Sequence, residues 1–179
     1  MPNSISWDKY FVDIAEVISE RSHCLSVKRG GIIVKDRQIL STGYNGPPSR
    51  YPHCEWRTDD GRYMLDNDGY PVNGFEPIFV CPRKRMNFKS GEGLEYCPAS
   101  HAEANALIFA ARNGVSIEGA TLYCNFKEIP CRECAKLIIT SGISKVVLYG
   151  EQIDYPQIGI RGSDLLKRCK VEVISVEKE

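Results

Sequence analysis

The stretch ATLYCNFKEIPCRECAKLIITSGISKVVLY, residues 120–149, decides the fold. Ala120-Thr121-Leu122-Tyr123-Cys124 is a short β-branched and aromatic run of the kind that forms a central strand, and Lys145-Val146-Val147-Leu148-Tyr149 is a second. Between them, Cys131 to Ser141 has helical spacing and is stopped by Gly142. Further on, Ser163 to Arg168 reads as a short helix and Val171 to Val176 as the last strand. Upstream, the run from His101 through Ala102, Ala104, Ala106, Leu107, Ile108, Phe109, Ala110 and Ala111 predicts a strong, buried helix ended by Asn113-Gly114. Ile32-Ile33-Val34 and Gln38 to Tyr44 flank the polar Lys35-Asp36-Arg37 and predict a hairpin. Apolar residues recur at helical spacing from Ser6 to Ser22, with Ser6 placed as N-cap. Strands alternating with helices after an initial hairpin give a mixed sheet with helices on both faces.

One long segment breaks the pattern. After Gly43-Tyr44-Asn45-Gly46-Pro47-Pro48 the chain leaves the sheet, and from about 47 to 100 it is rich in Gly, Pro, Asp, Arg and Tyr with little periodicity. Irregular segments of this length are uncommon in a compact domain unless they are functional or held by something. Cys54, Cys81 and Cys97 are the obvious holders.

The chain has 179 residues and 42% hydrophobic content, which suits one domain, 1–179, with a sizeable core. Lys+Arg 23 balances Asp+Glu 23, and with no basic run this argues against nucleic acid as a partner. No apolar stretch reaches membrane-spanning length, and the N-terminus lacks the features of a signal peptide, so a cytoplasmic protein with no membrane partner is expected. In a reducing compartment, 8 cysteines point to metal before disulfides.

The chemistry converges on His101-Ala102-Glu103 and Pro130-Cys131-Arg132-Glu133-Cys134. Both groups begin predicted helices. There the macrodipole and free backbone N–H groups favour the thiolate, the form that ligates zinc. Cys131 and Cys134 lie one turn apart and can bite one metal together, with Pro130 suited to the entry to that first turn. His101 would be the third ligand and a water the fourth. Glu103, on another side of its helix from His101, would shuttle the water's proton to a ring nitrogen and then to a leaving amine. H-x-E followed by P-C-x-x-C is the signature of zinc-dependent nucleobase deaminases. The competing structural reading, a closed zinc knuckle, leaves Glu103 without a task.

The chain resembles the deoxycytidylate (dCMP) deaminases of the cytidine deaminase-like superfamily from Trp7 to about Val176. The resemblance is carried by Glu20-Arg21-Ser22, Leu40 to Gly46, His101 to Ala106, Ile117 to Tyr123, and the run from Pro130 to Ile139 with Ser141-Gly142-Ile143. It implies a three-layer α/β/α sandwich with a five-stranded mixed sheet, the long segment being a zinc-stapled insertion after the second strand. It implies hydrolysis of dCMP to dUMP and ammonia by a zinc-bound hydroxide, supplying thymidylate synthesis. The implied zinc ligands are His101, Cys131 and Cys134, with Glu103 as shuttle. Asn45, Ser22 and Tyr155 of Tyr155-Pro156 are implied as substrate residues, Gln152 being the other alignment for the tyrosine. The family also implies a homo-oligomer, often a hexamer, activated by dCTP and inhibited by dTTP, with Mg2+ accompanying the triphosphate. Lys28, Asn45, Gly46 and Arg112 are the candidate effector residues. Arg29-Gly30-Gly31 departs from the family's usual Val-Gly-Ala, so that Arg29 either adds a phosphate contact or points to solvent. The resemblance implies a second, structural zinc, carried by some relatives, with Cys24, Cys54, Cys81 and Cys97 as its candidate ligands and His53 as a rival. Cys124 and Cys169 read as small core residues and His23 as a surface or satisfied histidine, not a ligand. The alternatives are a deaminase of another free nucleoside or nucleobase, which needs no phosphate contact, and an inactive zinc-stabilised binding module.

Overall fold

The computed structural model describes residues 4–58, 62, 64–89, 91–155 and 158–177. Helix α1 (Trp7–Ser19) starts where Ser6 Oγ accepts the amide of Lys9 at 3.1 Å. It stops short of the expected Ser22 because the chain tightens into bonds from the amides of Glu20, Arg21 and Ser22 to carbonyls three residues back. Strands β1 (Gly30–Lys35) and β2 (Gln38–Tyr44) form the hairpin, turned at Asp36 and Arg37. Both turn residues have positive φ, 50° and 62°, as a two-residue primed turn requires. Helix α2 (Pro82–Arg85) is a single turn in the long segment, too short to announce itself by periodicity. There follow α3 (Ala102–Arg112), β3 (Thr121–Cys124), α4 (Arg132–Thr140), β4 (Lys145–Tyr149), α5 (Gly162–Arg168) and β5 (Glu172–Val176).

The sheet order is β2-β1-β3-β4-β5, with β1 antiparallel to both neighbours and β3, β4 and β5 parallel. Side-chain alternation divides the core. On one face α1 packs through Phe11, Val12 and Ala15 on Ile32, Val34, Tyr123 and Val147. On the other, α3, α4 and α5 cover Ile33, Leu122, Cys124, Val146 and Leu148. This is the expected three-layer arrangement. Two glycines permit the close approach of helix to sheet. A Cβ on Gly30 would meet the carbonyl oxygen of Ala15, and one on Gly43 would press on the amide nitrogen of Ala106.

Two expectations are corrected. Helix α3 is not buried all round: it buries the stripe Ala102, Glu103, Ala106, Leu107 and Ala110, while Ile108 is 54% exposed. An alanine-rich helix has little polarity contrast, so its sequence did not show which side faces out. Cys169 is exposed because it caps α5 just before Lys170, at φ 59°, turns the chain toward β5.

The long segment is tied off at its base. Gly46 and Ser100 pair reciprocally, amide to carbonyl at 3.2 and 2.8 Å, so the chain returns beside its point of departure one residue before His101. Among the described residues, neither core cluster includes a side chain from 47–100. The segment is held by polar contacts such as Arg57 Nη1 to the carbonyl of Tyr96 at 2.6 Å, and by stacking of Phe88 on Tyr96.

Candidate active site

His101 and Cys131 occupy equivalent positions, each the N-cap of its helix with extended backbone. Neither side chain caps its helix, because both turn toward each other. Cys134, one turn into α4, completes the group: His101 Nδ1 is 3.5 Å from Cys131 Sγ and 3.4 Å from Cys134 Sγ. A tetrahedral zinc bound through nitrogen at ~2.1 Å and sulfur at ~2.3 Å would set those atoms about 3.6 Å apart. The donor set and its spacing therefore fit zinc, and among the described residues this is the one group of three or more donors, all within 4.8 Å, that could hold a metal ion. Pro130 stands at the entry to α4, just before the N-cap Cys131, and is buried where Gly162 of α5 passes against its carbonyl oxygen.

Electrostatics agree with the ligand reading. The hydrogen bond from the Cys134 thiol, followed by His101, outweighs burial and lowers the Cys131 thiol to about 4. Cys134 is pushed up by the same partner and by burial, so the pair shares one negative charge, and a central cation is what lets both ionise. Glu103 is 3% exposed at the start of α3, and burial raises its carboxyl above the ordinary range, in the direction a proton carrier needs.

A cavity of about 290 Å³ opens on His101, Glu103 and Cys131. Tyr155 lines it, with its ring centroid 6.1 Å from that of His101. Pro156 lies outside the described residues. Gln152 is instead directed at β5, its Nε2 3.3 Å from Ser175 Oγ.

Asn45 lines the cavity and is also a clamp. Its Oδ1 accepts from the amide of Arg29 at 2.8 Å and lies 2.8 Å from Ser22 Oγ, while Nδ2 donates to the carbonyl of Val27 at 3.0 Å. Ser22 therefore reaches the cavity only through Asn45. Of the candidate effector residues, Asn45 and Gly46 face the cavity, Lys28 pairs with Glu20 at 3.1 Å, and Arg112 stands at the far end of α3. The structure does not bring these four together within the chain.

Arg29 does not point to solvent but lines the cavity. It forms a bidentate pair with Glu128, at 2.7 and 2.6 Å, and lies 4.5 Å over the ring of Phe126. The pair holds the Glu128 carboxyl below its ordinary value, with hydrogen bonding to Arg29 the largest cause. Both residues line the cavity, yet 99 positions separate them and no local pattern joins them. Arg83, Lys84 and Lys89 also line it and were missed. The signal was present: Arg83-Lys84-Arg85 is a short basic run, which corrects the reading that the chain has none.

Cys24, Cys54, Cys81 and Cys97 all face this same cavity. Burial, with Cys97 and Cys24 nearby, pushes the Cys54 thiol up to about 11. His53 stacks on His23 at 4.4 Å and has a buried Nδ1 with no hydrogen-bond partner among the described residues. The chemistry suits a second zinc, but no three of these donors share the spacing of the His101 group.

Comparison with known proteins places this geometry. The family described as the cytidine and deoxycytidylate deaminase zinc-binding region matches residues 5–150. The deoxycytidylate deaminase of Enterobacteria phage T4 is 36% identical over 180 residues, covering 94% of this chain and 89% of the relative. That of Saccharomyces cerevisiae is 35% identical over 142 residues, covering 79% of this chain and 37% of its own length. The crystal structure of the dCMP deaminase from cyanophage S-TIM5, in complex with dCMP and dUMP, matches with a TM-score of 0.61 and 28% identity, covering 94% of this chain and 95% of that one.

Proposed function

Since the chain belongs to the cytidine and deoxycytidylate deaminase family, we propose that it hydrolyses dCMP to dUMP and ammonia. The observation that carries this reading is the His101, Cys131 and Cys134 clamp set beside a buried Glu103 at one cavity. Zinc, when held by the three donors, polarises a water and brings its pKa toward neutrality. Glu103 would take one proton from the attacking water and deliver it to N3 of the cytosine, then take the second from the new C4 hydroxyl and deliver it to the departing amine. The C4–N bond breaks, a C4–O bond forms, and the carboxylate ends as it began. Asn45, which lines the cavity and is held by Ser22 and the backbone of 27–29, would meet the sugar. Tyr155, beside His101, would flank the cytosine ring.

The finer features are proposed on the family resemblance for the effectors and assembly, and on length, composition and sequence pattern for the domain and location. These are a single domain spanning 1–179, activation by dCTP with Mg2+, inhibition by dTTP, a hexameric assembly and a cytoplasmic location. The exposed Ile108 face of α3 supports assembly. No described helix is long and apolar enough to cross a membrane. Cys24, Cys54, Cys81 and Cys97, lining one cavity, would hold a structural zinc that staples the long segment to the end of α1.

The test is conversion of dCMP followed in the ultraviolet with ammonia measured alongside, with and without dCTP or dTTP. Stoichiometric dUMP and ammonia are expected, and no product from dCMP under zinc-replete conditions overturns the reading. Metal analysis after purification without chelators should return about two zincs per chain. A value near one removes the structural site.

A further inference from the structure

The charge lining the cavity is unbalanced. Arg29 is matched by Glu128. Arg83, Lys84 and Lys89 line the same cavity from the long segment, and none has a carboxylate ion-pair partner among the described residues. Arg83 donates through Nε to the backbone carbonyl of Glu92 at 2.8 Å, and Lys84 Nζ to that of Ser26 at 3.2 Å. Carbonyls fix the direction of these side chains without neutralising them. Three like charges gathered at one cavity repel one another, an arrangement that favours an anionic ligand.

The placement specifies which anion. Arg83 is near enough to Tyr155 for its charge to act on the phenol, and Tyr155 stands beside His101. The cavity lining thus sets an aromatic ring beside the proton-transfer end and a guanidinium within reach of that ring, with Lys84 and Lys89 also in the lining. A pyrimidine nucleotide has the same order: base, sugar, then a phosphate monoester with charge of about −1.5 to −2 at neutral pH. Guanidinium suits phosphate through paired N–H donors and lysine as a point charge.

We infer that Arg83 and Lys84, with Lys89 beside them, bind the 5′-phosphate, so that the long segment selects the monophosphate over the free nucleoside. The inference rests on the nucleotide-deaminase reading above and adds the phosphate site to it. It also gives the Arg83-Lys84 run a small-molecule role inside a cavity.

The test uses zinc-loaded wild type, Arg83→Ala, Lys84→Ala, Lys89→Ala, the Arg83→Ala/Lys84→Ala double variant and Arg83→Lys. Lys35→Ala, at the opposite end of β1 from Arg29, controls for bulk charge. Two quantities are read: the ratio of kcat/KM for dCMP over deoxycytidine, and binding of 2-deoxyribose 5-phosphate by calorimetry. Loss of a charged phosphate contact should lower the ratio about tenfold or more for Arg83→Ala and for Lys84→Ala, and further in the double variant. Arg83→Lys should recover part of the loss, sugar-phosphate binding should weaken in parallel, and Lys35→Ala should do neither. A double variant that keeps the wild-type ratio and binds the sugar phosphate normally overturns the inference, provided that wild type turns over dCMP. If wild type proves inactive on dCMP, the functional reading fails separately, and sugar-phosphate binding with its loss in the double variant still decides the phosphate site.

Discussion

The starts of α3 and α4 and the segment 47–100 face one cavity, yet they are held by different means. His101, Glu103, Cys131 and Cys134 stand on helices pressed onto a five-stranded sheet, with Gly43 letting α3 within backbone contact of β2. Arg83, Lys84 and the segment's cysteines are held by carbonyl bonds, a bridge at Gly46 and Ser100, and scattered ring contacts. Proton transfer and metal ligation need atoms fixed to fractions of an ångström, and the packed half supplies that. Holding a phosphate needs only positive charge within reach, which a less regular segment can provide. The proposed function and phosphate site thus divide chemistry and substrate choice between two kinds of structure.

The largest effect should come from within the packed half. Glu103→Gln should retain zinc by metal analysis and lower dCMP turnover by about 10²–10⁴-fold. Turnover within about tenfold of wild type would remove the shuttle role and with it the division of labour. Next, Gly43→Ala should destabilise the protein by about 1–3 kcal/mol or more, because its Cβ would press on the α3 backbone. Gly46→Ala, three residues on, meets nothing within 4 Å and should change stability by less than about 0.5 kcal/mol. Equal losses in thermal melts would show that the boundary between the two regions is misplaced. The smallest effect concerns Glu128. Its pKa is lowered on folding, so its pairing with Arg29 adds stability that is complete above the ordinary value of 4.5 and disappears as pH falls through the depressed one. Glu128→Gln should flatten this acid limb of the pH–stability curve. An unchanged limb would show that the pair, partly open to solvent, contributes little.

The same contrast explains what could be read from the chain. All five strands and the catalytic triplet were legible because burial imposes period and the ligands lie at helix starts, where spacing has a fixed meaning. Helix α3 was legible as a helix but not in its orientation, since alanines on both sides hide the exposed Ile108. In the long segment a one-turn helix has no periodicity, and pairs such as Arg29 with Glu128 are made by the completed fold. Asn45 was marked as a sugar neighbour, while its clamp on Ser22, Val27 and Arg29 became visible only with the loop in place.

The most direct test of this division is the initial rate of zinc-loaded enzyme on dCMP and on deoxycytidine at matched concentrations. The two share a base for Glu103 and the metal, and differ only in the phosphate offered to the segment. The account predicts that dCMP is turned over with a kcat/KM at least about a hundredfold higher, as two charged contacts imply. Equal turnover of both would contradict it.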